Sequence, residues 1–146
     1  MEQTASQPVK VNPAYGVEDA SYQAAGGFEG ICCLVNAFYD AMDSLPEAAV
    51  IRAMHDQDLT ESRKKLSYFL SGWLGGPKLY RQHYQPIVIP KAHQHLDIGE
   101  AERDAWMLCM KIAVDSQPYA DDFKQYLLEQ LYIPAERTRV LCSKSK

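Results

Sequence analysis

The chain has 146 residues, the length of one ordinary domain. Its 15 Lys and Arg against 19 Asp and Glu leave a formal net charge of -4, too mild for an acidic tail and of the wrong sign for a nucleic-acid-binding face. Hydrophobic residues make up 47% and nine Tyr, four Phe and two Trp are present, which excludes a disordered chain, while the apolar runs are too short to span a membrane.

Residues 1–20 read as an extension, punctuated by Pro8, Pro13 and Gly16, that is partly disordered or adds a helix across the fold. Met1–Lys10 holds no apolar signal core, so a cytoplasmic location is expected. Gly26-Gly27 offers a sharp turn where a preceding helix can end. Ile31, Leu34, Val35, Phe38 and Met42 then recur at helical spacing until Pro46 ends the run. Leu59, Ser62, Leu66, Phe69, Leu70 and Trp73 mark a second helix face, with Asp58 or Thr60 as cap and Gly75-Gly76-Pro77 as stop.

An irregular connection of about twenty residues follows, from Lys78 to Ile98, far longer than bundle loops usually are, and it holds His83, His93 and His95. A third helix is predicted from near Gly99, where Glu100 and Glu102 suit the positive end of a helix dipole. It carries Ala105, Leu108, Cys109 and Ile112 on one side and Trp106, Met110 and Ala113 on the next. A fourth, with Tyr119, Phe123, Tyr126, Leu127 and Leu131, follows Pro118 and is kinked or ended by Pro134. No strand pair with a hairpin signal is visible, so the expected fold is all-α, with a domain over 21–141 and a frayed basic tail over 142–146.

Cys32, Cys33, Cys109 and Cys142 form neither CxxC pairs nor the paired ligands of a zinc site. Adjacent Cys32 and Cys33 would strain a mutual disulfide, so reduced thiols are expected, with Cys142 in the tail as the exposed one open to intermolecular oxidation. No HExxH cluster supports a metal hydrolase.

Three blocks carry a resemblance: Leu34-Val35-Asn36-Ala37-Phe38-Tyr39, the run from Phe69 to Pro77 (FLSGWLGGP), and Glu102-Arg103-Asp104-Ala105-Trp106 followed by Cys109-Met110. Together they resemble the group II (O-type) truncated haemoglobins, bacterial 2-on-2 globins, over about Tyr22 to Val140. The resemblance implies a truncated-globin sandwich in which helices B and E lie over helices G and H around a b-type haem, an iron protoporphyrin IX.

The resemblance also implies roles. His93 lies 13 residues before Trp106, matching the family's proximal iron ligand. On chemistry alone a lone loop histidine is more often a surface residue, and His95 is the neighbouring alternative. Tyr39 and Trp106 match the distal tyrosine and tryptophan, residues whose ordinary reading is core packing. His55 falls at the third distal position, with Arg52 and Met54 beside it and about three extra residues around Ala48 to Ile51 preceding it. The phenol, indole and imidazole are expected to donate to an iron-bound diatomic ligand. Ser62 matches the gate position in helix E, although a solvated first-turn serine reads equally well. Leu66, Phe69, Leu70 and Met110 pack the core and face the porphyrin, while Lys65, Tyr80 and Lys91 are the propionate candidates. Pro90-Lys91-Ala92 stands where the family often has arginines.

The implied function is binding of dioxygen and other small ligands (CO, NO, sulfide, peroxide) on Fe(II), for sequestration or redox detoxification rather than bulk oxygen delivery. Peroxidase or NO dioxygenase activity would require a reductase as electron donor. A monomer or weak homodimer is expected, without nucleic-acid or membrane partners. The alternative is a cofactor-free all-α interaction module or thiol redox sensor built on Cys32-Cys33.

Overall fold

A computed structural model of the chain describes residues 15–83 and 98–144, with side chains as far as 142. Its helices are α1 (Ala20–Ala24), α2 (Gly27–Ser44), α3 (Ala49–Ala53), α4 (Thr60–Trp73), α5 (Leu79–His83), α6 (Glu100–Asp115) and α7 (Asp121–Lys144). A 3-10 turn over Pro46–Ala48 joins α2 to α3. No strand occurs among the described residues, and no helix there is long and apolar enough to cross a membrane.

The apolar spacing read from the sequence sets the packing. Ile31, Leu34, Val35, Phe38 and Met42 of α2 are all buried. Against this face pack α4 and α6, and α7 packs in turn on α6. By contrast, α4 takes its neighbours from α2 and α5, with little or no contact to α6 or α7. The centre of the molecule therefore lies under α2, and the inner sides of α4 and α6 flank it without closing on one another.

The helix ends are explained locally. Gly26 turns the chain before α2 with a φ of 90°, a conformation that side chains with a Cβ rarely adopt. The Asp58 carboxylate, rather than Thr60, satisfies the start of α4 by accepting the Thr60 N–H at 2.9 Å. At α6 the Glu102 carboxylate accepts the Gly99 N–H at 2.8 Å. The predicted stop of α4 also forms: Gly76 N–H donates to the Ser71 carbonyl at 2.8 Å across Gly75, whose φ is 95°.

This turn has a second purpose. A Cβ at Gly75 would lie 1.9 Å from the Glu18 carbonyl oxygen, and one at Gly76 would lie 2.2 Å from the Tyr22 ring. The amino-terminal segment thus crosses directly over the two glycines, and the Tyr22 N–H donates to the Leu74 carbonyl at 3.0 Å.

Several expectations are corrected. The extension is already packed from Tyr15 onward: its ring lies 5.2 Å from those of both Phe123 and Tyr126, and its hydroxyl donates to Asp122. The connection after Lys78 begins with a helical turn, α5. Pro134 does not end the fourth helix, because α7 runs through it to Lys144. Side-chain contacts hold the turn that follows it. Thr138 donates its hydroxyl to the Pro134 carbonyl at 2.7 Å, and Glu136 binds Arg139 and, on α6, Arg103. Those two guanidinium groups hold the Glu136 carboxyl well down, to about 2. Because the helix continues, Cys142 is buried rather than an exposed tail thiol. The exposed cysteine is Cys33, and burial pushes the Cys109 thiol up to about 11.

The glycine crossing makes a direct prediction. Gly75→Ala should lower the unfolding free energy by about 2 kcal/mol or more, through backbone strain and overlap with the Glu18 carbonyl. Gly72→Ala, whose new methyl would meet Lys78 at 3.1 Å, should change it by less than about 1 kcal/mol, as read by urea denaturation.

Candidate functional site

The candidate residues of α2, α6 and the loop after α3 converge on one aromatic cluster. Phe38 and Tyr39 are neighbours on α2 with ring centroids 4.9 Å apart, edge to face. The other edge contact of Phe38 is Trp106 of α6, at 5.2 Å. The Tyr39 ring lies 5.7 Å from His55 in a T-shaped arrangement. Such geometries are the favoured ones for aromatic pairs. Tyr39 and Phe38 are buried, whereas Trp106 and His55 are half-buried.

Burial pushes the Tyr39 phenol up to about 12, and the nearby Arg63 cation opposes that rise. The group is therefore a neutral O–H donor throughout the ordinary pH range. Arg63 was not singled out in the sequence, yet its guanidinium carbon sits 5.7 Å from the Tyr39 ring centroid. It is held there by the Asn36 carbonyl and side-chain oxygens and by the Asp40 carboxylate. The legible signal was Asn36 and Asp40, one turn apart on the polar side of α2 and ready to receive a cation from α4.

His55 differs from the expectation in one respect. Its Nδ1 lies 2.9 Å from the Ile51 carbonyl oxygen. A carbonyl only accepts, so Nδ1 is the donor there, and Nε2 is the nitrogen left facing away from the backbone. The imidazole N–H expected to face a ligand is spent on the backbone.

A second group of side chains lies along α4 and α5. Phe69 is half-buried, with Trp73 at 6.5 Å and Tyr80 at 6.4 Å between ring centroids. Leu66 is half-buried one turn before it, and Ser62 half-buried in the first turn. Leu70 and Met110 differ from these, being fully covered by protein side chains. Lys65 is exposed on α4. His83 is exposed on α5, its ring 5.1 Å from that of Tyr68. Lys91, His93 and His95 lie outside the described residues.

The comparisons with known proteins bear on this arrangement. A family model described as bacterial-like globin matches residues 20–135. The chain belongs to the bacterial-like globins. Within them it is a group II truncated haemoglobin. It is 32% identical over 117 residues, 80% of this chain and 86% of the relative, to group 2 truncated hemoglobin YjbI of Bacillus subtilis. The group II 2-on-2 hemoglobin of Agrobacterium tumefaciens superimposes with a TM-score of 0.75 at 36% identity, covering 82% of this chain and 92% of that one. The cold-adapted truncated hemoglobin of Pseudoalteromonas haloplanktis TAC125 does so with 0.78 at 30% identity, covering 81% and 95%.

The all-α sandwich is thus the 2-on-2 globin fold, with α2 and α4 in the places of helices B and E and α6 and α7 in those of G and H. Membership implies a haem cofactor and binding of oxygen, and it does not favour the interaction-module or thiol-sensor reading. The residues present fit a porphyrin. Leu66 and Phe69 on α4, Tyr80 on the adjoining α5 and Trp106 on α6 leave apolar and aromatic surface partly open, and α4 and α6 do not close on each other. A flat apolar macrocycle needs surface of this kind, and the phenol and indole add polar donors beside it.

Alkaline titration tests the burial of the tyrosines. Tyr39 and Tyr119 both have phenols pushed up to about 12, chiefly by burial. The folded chain then holds these protons after the unfolded chain has released them. Their contribution to stability is complete below about pH 10, the ordinary phenol value, and is lost as the pH rises toward 12. Tyr39→Phe should flatten the fall in stability over this range, as measured by denaturant unfolding at successive pH values.

Proposed function

We propose that this globin binds dioxygen and related diatomic ligands on the ferrous iron of a b-type haem. Its use is ligand sequestration or redox detoxification of NO, peroxide or sulfide more than bulk oxygen delivery. The observation that carries the reading is the buried Tyr39 phenol sharing one ring cluster with His55, Phe38 and Trp106. Residues 21–141 form the globin unit of this proposal, and a cytoplasmic monomer or weak homodimer served by a reductase is its setting.

Haem, when bound, supplies an iron with an open coordination position for a small gas. His93 is assigned as the protein ligand on its motif spacing, since a neutral imidazole suits iron and its second N–H can fix the ring on a carbonyl. The Tyr39 O–H and Trp106 N–H are the donors to the partly negative outer atom of the gas. A hydrogen bond to such an acceptor contributes about 1.5–3 kcal/mol. Since about 1.4 kcal/mol is a factor of ten, two donors slow release by roughly a hundredfold or more. A ligand held so firmly suits chemistry at the iron better than delivery.

His55 is the remaining side chain of the cluster with a nitrogen to offer. With Nδ1–H on the Ile51 carbonyl, Nε2 of the neutral ring would be free to accept from a proton donor or to ligate the iron of a bound haem. Ser62 is small and leaves the helix-E entrance less obstructed. Leu66 and Phe69 form the apolar wall, with the covered Leu70 and Met110 in the core behind it, and Lys65, Tyr80 and Lys91 are assigned to the propionates.

Titration of the haem-free protein with haem should give a one-to-one endpoint and a carbonyl spectrum typical of histidine ligation. His93→Ala should lose that spectrum. Tyr39→Phe and Trp106→Phe should each speed dioxygen release by about tenfold in stopped-flow measurements. Unchanged rates in both would overturn the distal assignment. For the redox role, peroxide turnover should exceed that of free haem, and equal turnover would remove it.

A further inference from the structure

The loop between α3 and α4 carries His55, and three bonds from a single side chain hold that loop. Arg52, the fourth residue of α3, directs its Nε to the Asp43 carboxylate on α2. Its two terminal nitrogens donate to the carbonyls of Asp56, at 2.9 Å, and Gln57, at 2.8 Å. Asp43 lies one turn after Tyr39 on α2, and Asp56 follows His55 directly. The guanidinium therefore ties the helix bearing the buried phenol to the loop bearing the imidazole. The rigid fork of arginine suits this three-way bridge, because its donors diverge in one plane and remain charged at any ordinary pH.

The bridge matters because the other ties lie at the two ends of the loop, in the backbone bonds of Met54 and His55 to α3 and in the buried Leu59, while Arg52 alone reaches the carbonyls of Asp56 and Gln57 between them. With only five residues, α3 is too short to persist by its own hydrogen bonds. Ile51 is buried and anchors one side of it. The Ile51 carbonyl is also the acceptor for His55 Nδ1–H, so the orientation of the imidazole depends on α3 keeping its shape. Arg52 and His55 both line the open groove at the end of α2, so both can be reached by solvent if the bridge opens. Exposed ion pairs usually contribute little on their own. The effect of this one lies in where it holds His55.

We propose that Arg52 is a positioning residue for ligand binding: by bridging Asp43 to the carbonyls of Asp56 and Gln57, it holds His55 beside Tyr39 with Nδ1–H on the Ile51 carbonyl. The inference rests on the proposed distal role of His55, and its test separates the two. The haem-loaded protein, in its diamagnetic carbon monoxide complex, is compared with Arg52→Gln and with Asp43→Asn. Exchange of the His55 Nδ1 proton with solvent, followed by nuclear magnetic resonance, should accelerate at least tenfold in Arg52→Gln and less in Asp43→Asn, which keeps the two carbonyl bonds. Unchanged exchange in Arg52→Gln overturns the proposal, whatever the ligand rates. Dioxygen release is then measured for Arg52→Gln, His55→Leu and the double variant. The rate should change several-fold in Arg52→Gln, and the change should vanish in the His55→Leu background. A change that persists there means Arg52 acts by another route and overturns the positioning role. Faster proton exchange with no rate effect from His55→Leu instead removes the distal role of His55 and leaves the bridge standing.

Discussion

Phe38 sits between the rings of Tyr39 and Trp106, and that contact joins the two helices on which the candidate site is built. Phe38 is almost fully buried, on the face of α2 that also carries Ile31, Leu34, Val35 and Met42. Because α4 and α6 both pack against α2, the position of each is set relative to this face. Residue 39 follows 38 on the helix, so the phenol turns about one hundred degrees from the core axis while remaining under cover. Core packing and placement of the donor are consequences of one helix phase. Shifting that phase by a residue would lose both.

Two polar ties flank the cluster. Arg63 reaches from α4 to Asn36 and Asp40, and Arg52 reaches from α3 to Asp43. Each is a cation that joins a different element to the polar edge of α2, on either side of Tyr39. Neither is buried deeply, so their contribution to global stability is modest. Their contribution to geometry is larger. They fix how far the start of α4 and the loop before it stand from the phenol. A fold of this size with a partly open interior depends on such ties, because fewer side chains cross the centre to hold its edges apart.

Much of this was legible in the sequence where local chemistry decides the outcome. The 3.6-residue spacing of Ile31 to Met42 located α2 and its buried face. The Gly75-Gly76-Pro77 stop fell where α4 ends, and the FLSGWLGGP block with the ERDAW block pointed to the globin family. The misreadings came where tertiary contacts override local rules. Pro134 should break a helix, yet Thr138 and the Glu136 network carry α7 past it. Cys142 looked like part of a polar tail because burial of one turn on a packed helix has no signature in five terminal residues. The proton on His55 Nδ1 was invisible because a residue letter does not tell which nitrogen meets a carbonyl. Arg52 appeared only as a neighbour of His55, since its three acceptors are brought to it by the fold.

The crossing of the amino-terminal segment over Gly75-Gly76 has a consequence for the order in which the chain acquires its shape. Glu18 and Tyr22 are synthesised long before the glycines they rest on, and α1 is far too short to hold together alone. On the ribosome, α1 has only α2 to dock on until the end of α4 has emerged. The first helix in the sequence is therefore among the later parts to settle, and its arrival closes the amino-terminal segment over a turn that must already exist.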